Sequence, residues 1–164
     1  MKVSYTFTTM ADPFTITDDS GQVRYQVTTM DYGEQLSLRD ASGRELAAVV
    51  HGRHMHGVQV RINGEEAAMV RARWPLLARY QANMRGGTLR TRGDVYYDYS
   101  LYPDPDHSNV TVFVMRAQNW SRLRTKVDLI IADREDDPVL LTAIVLAVEH
   151  LIYERGDKRL RARP

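Results

Sequence analysis

Apolar and polar residues alternate along most of the chain, which is the pattern of β-strands with one buried face. Turn signals separate the alternating segments, among them Asp18-Asp19-Ser20-Gly21 and Asn63-Gly64. Apolar residues mark the clearest segments at Val3, Tyr5 and Phe7, at Phe14 and Ile16, at Val23, Tyr25 and Val27, at Leu36 and Leu38, at Val58, Val60 and Ile62, at Val110, Val112 and Val114, and at Val127, Leu129 and Ile131. The pattern predicts roughly a dozen short strands before residue 136.

Two segments are less regular. Residues 95 to 101 are rich in tyrosine and predict a strand with one partly solvent-exposed face. Pro103 to His107 contains two prolines, which a central strand does not tolerate, so this segment is predicted to be a loop.

One hydrophobic helix is predicted after the strands, because the period changes at residue 136. Asp136 or Asp137 suits the N-cap, Pro138 the first helical position, and Gly156 a left-handed C-cap. From Val139 to Val148 only Thr142 is polar, so every face of this helix is apolar. Such a helix must be buried on all sides. We therefore predict a mainly β fold, a closed antiparallel barrel of roughly twelve strands that encloses a central C-terminal helix.

Composition narrows the class of protein. The chain has 164 residues, a formal net charge of +1 and no cysteine. These values favour one domain, predicted at 1–156 with a basic tail at 157–164, and exclude disulfides and thiolate nucleophiles. Neither nucleic acid nor a cofactor is expected as a ligand. The apolar run is interrupted at Glu149-His150, too early for a membrane span, so a cytoplasmic protein, at most peripheral at the membrane, is predicted.

Several segments resemble the LURP-one-related (tubby C-terminal-like) family. The segments that carry the resemblance are Phe14-Thr15-Ile16-Thr17-Asp18-Asp19-Ser20-Gly21, Leu36-Ser37-Leu38-Arg39-Asp40, and Val110-Thr111-Val112-Phe113-Val114 followed by Trp120 and the apolar helix. The resemblance implies a barrel around a central helix, in a superfamily that includes tubby proteins and phospholipid scramblases. Tubby domains bind phosphoinositide headgroups, but none of their lipid-binding residues can be matched to a position here.

Two arginine-rich stretches are the candidate ligand-binding residues. No Asp or Glu occurs from Arg71 through Gly93, and none occurs between His107 and Val127. Arginine forks suit phosphate groups. The predicted anion-binding residues are Arg71, Arg73, Arg79, Arg90, Arg92, Arg116, Arg122, Arg124 and Lys126. The alternative is that these residues are solvated strand positions that prevent edge-to-edge pairing.

Other candidate chemistry is weaker. His54 and His56 share a strand parity that suits a metal, but no carboxylate stands nearby, so no metal site is predicted. The acidic group from Asp133 to Asp137 is explained by helix capping. No set of residues combines a nucleophile, a base and an oxyanion hole, so an enzyme is not predicted. The sequence favours a binding module for anionic lipid headgroups or a membrane surface; the alternative is a protein-interaction or scaffold domain without a lipid ligand.

Overall fold

The computed structural model describes residues 3–8, 13–30, 34–51, 57–73, 79–93, 98–104, 109–117, 126–132 and 136–161. These residues form twelve strands and one helix. The elements are β1 (Val3–Thr8), β2 (Phe14–Asp18), β3 (Val23–Met30), β4 (Gln35–Arg39), β5 (Glu45–Val50), β6 (Val58–Ile62), β7 (Glu65–Ala72), β8 (Tyr80–Met84), β9 (Gly87–Gly93), β10 (Asp98–Asp104), β11 (Val112–Ala117), β12 (Lys126–Ile131) and α1 (Pro138–Arg161).

The strands form a closed antiparallel barrel, which confirms the predicted fold class. Each strand pairs with its neighbours in the chain, and β1 closes the barrel on β12 with Val3 opposite Ile131 and Thr8 opposite Lys126. Each of the twelve described strands therefore has a paired neighbour on both sides, which is how a closed barrel avoids exposed sheet edges.

The two ends of the barrel differ. The turn end carries the tight turns after β2, β4, β6 and β8. In two of these turns an aspartate, Asp18 or Asp40, accepts backbone N–H bonds through Oδ1 at 2.9 to 3.1 Å. The turn at Asn63-Gly64 has a positive φ at both residues, as a two-residue hairpin requires. The opposite end carries the other strand connections, and we call it the helix-exit end because α1 enters at the turn end and runs towards it.

Helix α1 fills the barrel, as predicted from its apolar faces. All nine residues from Leu141 to Glu149 are buried, so the helix is covered on every side over this stretch. The strands contribute their inward-facing positions to the same core; among the largest fully buried side chains are Phe7, Leu38, Leu101 and Ile144. Within the part of the chain that is described, no helix has the length and apolarity needed to cross a membrane.

The ends of α1 were predicted with mixed success. Asp137 caps the start, because its Oδ1 accepts the N–H groups of Val139 and Leu140 at 3.0 and 3.2 Å. The prediction that Gly156 ends the helix is wrong, since α1 continues to Arg161. A glycine inside a helix costs only about 1 kcal/mol, and the lysine, arginine and leucine residues that follow favour a helix. At 24 residues the helix is ~36 Å long, longer than the strands around it.

The loop predicted from Pro103 onwards also needs correction. Pro103 and Asp104 belong to β10 and pair with Leu89 and Thr88 of β9. On its other side β10 pairs with β11 only as far as Leu101. Pro103 therefore has a paired strand on one side only, where the lack of a backbone N–H is tolerated. Residues 105–108 lie outside the described part of the chain.

Candidate functional site

Four of the predicted arginines lie close together on the outer surface, near the helix-exit end. In β7 the side chains of Ala68 and Val70 are buried, so Arg71, of opposite parity, lies on the outside. Arg73 directly follows β7 and donates its backbone N–H to the carbonyl of Arg79, at 2.7 Å, just before β8. Arg92 lies outward near the end of β9, which pairs with β8. We call Arg71, Arg73, Arg79 and Arg92 the arginine cluster.

The arginine cluster carries positive charge that is not paired with any acidic residue of the described ranges. None of its four members forms an ion pair with another residue of the described ranges. Neighbouring strands are ~4.8 Å apart and alternate residues on one strand ~7 Å apart, so the four side chains start within reach of one anion. The arrangement can donate several charge-assisted hydrogen bonds to phosphate oxygens.

Arg90 and Lys126 are also on the outer surface, but each has an acidic neighbour. Arg90 Nη2 lies 2.9 Å from Asp104 Oδ2, and Lys126 Nζ lies 3.7 Å from Asp128 Oδ2. Arg90 lies next to the cluster, because Gln81 of β8 is the cross-strand partner of Arg71 on one side and of Arg90 on the other. Both residues therefore add less net charge than the members of the cluster.

Arg116 lies inside the barrel and not on its outer surface. Its parity in β11 matches the buried Val112 and Val114, and its Nε lies 3.3 Å from Oε2 of Glu149 on α1. The Tyr99 hydroxyl donates to Glu149 Oε1 at 3.1 Å. Arg116 is thus part of the link between the barrel wall and the helix. The alternation of residues in the sequence of β11 was enough to predict that Arg116 points inward, unlike the arginines of the cluster.

The buried carboxyl of Glu149 has a perturbed acidity. Burial raises its pKa, while the positive charge of Arg116 and the hydrogen bond from Tyr99 act in the opposite direction. Burial and the nearby Glu149 also raise the pKa of the Tyr99 hydroxyl, so that it remains a proton donor. The ring of the next residue, His150, packs edge-on against His51 with 5.6 Å between centroids. These contacts place a polar cluster at the helix-exit end of an otherwise apolar interior.

A groove on the outer face of β9 to β12 was missed by sequence reasoning. It has a volume of about 570 Å³ and is lined by Arg92, Ser100, Phe113, Met115 and Ile130, among others. Phe113 and Met115 are each 41% exposed and both line this groove, so together they form an apolar patch on the outer face. The alternation in β11 contained the signal, since both residues have the parity opposite to the buried valines.

The remaining predicted residues are not brought to this surface by the described structure. Arg122 and Arg124 lie outside the described residues, as do His54 and His56. Arg85, which was not among the predicted residues although it lies in the same basic stretch, belongs to the turn between β8 and β9, at the other end of the barrel. Within the described ranges there is no group of three or more His, Cys, Asp or Glu residues that could hold a metal ion.

Comparison with known proteins gives the same assignment as the fold. A search of curated proteins finds no match. A crystal structure of an Arabidopsis thaliana protein is similar over 90% of each chain, with a TM-score of 0.66 and 13% sequence identity. That level of identity is evidence for the fold alone. The family model described as LURP-one-related matches residues 2–149, which are nearly all of the barrel and the buried part of the helix. The chain therefore belongs to the LURP-one-related family.

Proposed function

We propose that this domain is a binding module that recognises anionic phospholipid headgroups at a membrane surface through the arginine cluster. The observation that carries the proposal is the grouping of Arg71, Arg73, Arg79 and Arg92 on one outer face without an acidic partner in the described structure. Surface arginines elsewhere on the barrel, such as Arg24 and Arg44, are each paired with an aspartate. A cluster left unpaired is the arrangement that attracts an anion.

The expected strength is modest and depends on salt. A basic residue near an anionic bilayer contributes about 1 kcal/mol, so four such residues give about 4 kcal/mol in total. This attraction falls off within a Debye length, which is ~8 Å at physiological ionic strength. Removing two of the four arginines is therefore expected to cost about 2 kcal/mol, or roughly 30-fold in affinity.

Co-sedimentation with vesicles tests the proposal. The double variant Arg73→Gln/Arg79→Gln is compared with Arg24→Gln/Arg44→Gln, which makes the same change in net charge near the turn end. We expect binding to vesicles that contain phosphatidylserine, weaker binding as salt is raised, and a loss of binding for the first double variant only.

Two outcomes contradict the proposal. If the chain sediments equally with neutral and anionic vesicles, or with neither, headgroup binding through arginine is wrong. If both double variants lose binding equally, then net charge alone is responsible and the cluster has no special role. Only sedimentation with neither kind of vesicle would favour the alternative, a protein-interaction or scaffold domain without a lipid ligand.

A further inference from the structure

We propose that the groove on the outer face of β9 to β12 holds the acyl chain of an anionic lipid whose headgroup contacts the arginine cluster. This inference rests on the proposed function and adds a binding site for the acyl chain, which the arginine cluster does not contact. Its starting point is the position of the groove, since Arg92 belongs to both the cluster and the groove lining.

The groove exists because small residues lie between large ones. Ser100 of β10 is flanked across the strands by Arg92 on β9 and Phe113 on β11. At Gly93 the backbone has φ +100, and an added Cβ would lie 2.7 Å from the carbonyl oxygen of Asp98. A side chain is therefore excluded at Gly93, which lines the same groove. Its volume of about 570 Å³ is within the range of small-molecule sites in proteins.

The lining has the polarity of an amphiphile. One cross-strand row runs from Arg92 through Ser100 and Phe113 to Ile130. The row spans three strand spacings, or about 14 Å. It begins with a guanidinium group and ends with apolar side chains. The exposed and flexible side chain of Met115 lies beside this row and adds to the apolar lining. A ligand that is anionic at one end and apolar along its length matches this order.

Asp98 determines which way such a ligand lies. Its carboxylate lines the groove one register row away from Arg92, and its Oδ1 accepts the backbone N–H of Arg116 at 3.2 Å. A negative headgroup is repelled from that side and attracted to Arg92, beyond which Arg79 and Arg73 follow. The acyl chain then points across β10 and β11 towards Ile130, away from the cluster.

Binding of soluble alkyl phosphates tests this inference, with isothermal titration calorimetry as the measurement. The probes are dodecyl phosphate, kept below its micellar concentration, and butyl phosphate, which carries the same headgroup. Each methylene that is fully buried tightens binding by about fourfold, so even partial burial predicts a gain of roughly tenfold or more for the longer chain. The gain should be accompanied by a negative change in heat capacity.

Two variants locate the chain. Ser100→Phe fills the groove without altering charge, and aromatic residues are well accepted in strands. Its matched control is Thr15→Phe, an exposed outward position of β2 on another part of the barrel. We expect Ser100→Phe to abolish the advantage of dodecyl over butyl phosphate and Thr15→Phe to keep it. If Ser100→Phe does not fold, as judged by circular dichroism, Met115→Thr supplies the test and should reduce the advantage.

The outcomes separate this inference from the function on which it rests. Equal affinity for both probes would mean that the groove holds no chain, while headgroup binding stands. A longer-chain advantage that survives the Ser100→Phe or Met115→Thr change would place the chain elsewhere and overturn the inference. Failure of both alkyl phosphates, together with failure of vesicle binding, would overturn the proposed function as well.

Discussion

Replacing Arg116 by methionine is the sharpest test of how the helix is held in the barrel. The side chains of Arg116 and Glu149 are only 12% and 5% exposed, so the change leaves a carboxylate buried without its cation. Removing one partner of a buried ion pair typically costs about 3–5 kcal/mol. Since a domain is stable by about 5–15 kcal/mol, we expect about a fifth or more of the stability to be lost. The melting temperature should fall by about 6–20 °C.

The loss should depend on pH in a defined direction. Burial already raises the pKa of Glu149 above its usual 4.5, and Arg116 is the main influence that lowers it. Without Arg116 the folded-state pKa rises further, so the folded state binds a proton more tightly than the unfolded state. Stability is then greatest below the unfolded value near 4.5 and is lost as pH rises through the folded-state pKa.

Urea unfolding followed by far-ultraviolet circular dichroism at several pH values measures both effects. The double variant Arg116→Met/Glu149→Gln should regain much of the stability, because no buried charge remains. Arg24→Met is the matched control, since Arg24 is 51% exposed and its ion pair with Asp18 is largely solvated. Equal losses for Arg116→Met and Arg24→Met, or a double variant less stable than Arg116→Met alone, would refute the reasoning.

Three further predictions concern the helix and one turn. Leu146→Asp places a charge in the core and should prevent folding, which a circular dichroism spectrum without native signal would show; a native-like spectrum would mean that the helix is not enclosed. Thr142→Val should raise stability in urea by about 1 kcal/mol, because the fully buried hydroxyl has no hydrogen-bond partner in the described structure; a loss of stability would contradict this. The hydrogen bond from Ser20 lowers the pKa of Asp18 to about 2, so the stability contributed by Asp18 is present above its usual 3.8 and is lost as pH falls towards 2. Asp18→Asn should remove that part of the acid dependence, and an NMR titration that finds an ordinary pKa at Asp18 would contradict the assignment.

The fold could be predicted because its determinants are local. Alternation of apolar residues identifies a strand, and an apolar helix without a polar face has to be enclosed. A cap by Asp136 or Asp137 was predictable from their position before Pro138, and the structure shows that Asp137 is the one that caps the helix. The continuation of α1 through Gly156 was not predictable. A glycine near a helix end is compatible both with a C-cap and with a helix that continues, and the free energies of the two differ little.

The candidate site was only partly predictable because it depends on neighbours far apart in the sequence. The basic composition of the stretch from Arg71 to Gly93 was visible, but the separation of Arg90 from the cluster depends on Asp104 in another strand. Likewise, only the structure shows that the residue facing Arg116 is Glu149 on the helix. The groove depends on Ser100 and Phe113 being brought side by side across β10 and β11, which requires the register.

Enclosure of α1 has a consequence for biosynthesis. The barrel closes by pairing Val3 with Ile131, and the helix that fills it follows all twelve strands in the sequence. The inward-facing apolar side chains of strands that leave the ribosome early therefore stay exposed to solvent until the helix has been synthesised. Such long-range contacts slow folding, and exposed apolar surface favours aggregation in the meantime. A premature stop before residue 136 would leave the strands without the surface on which they pack, so chaperone dependence during translation is expected to be greatest for this protein just before its helix appears.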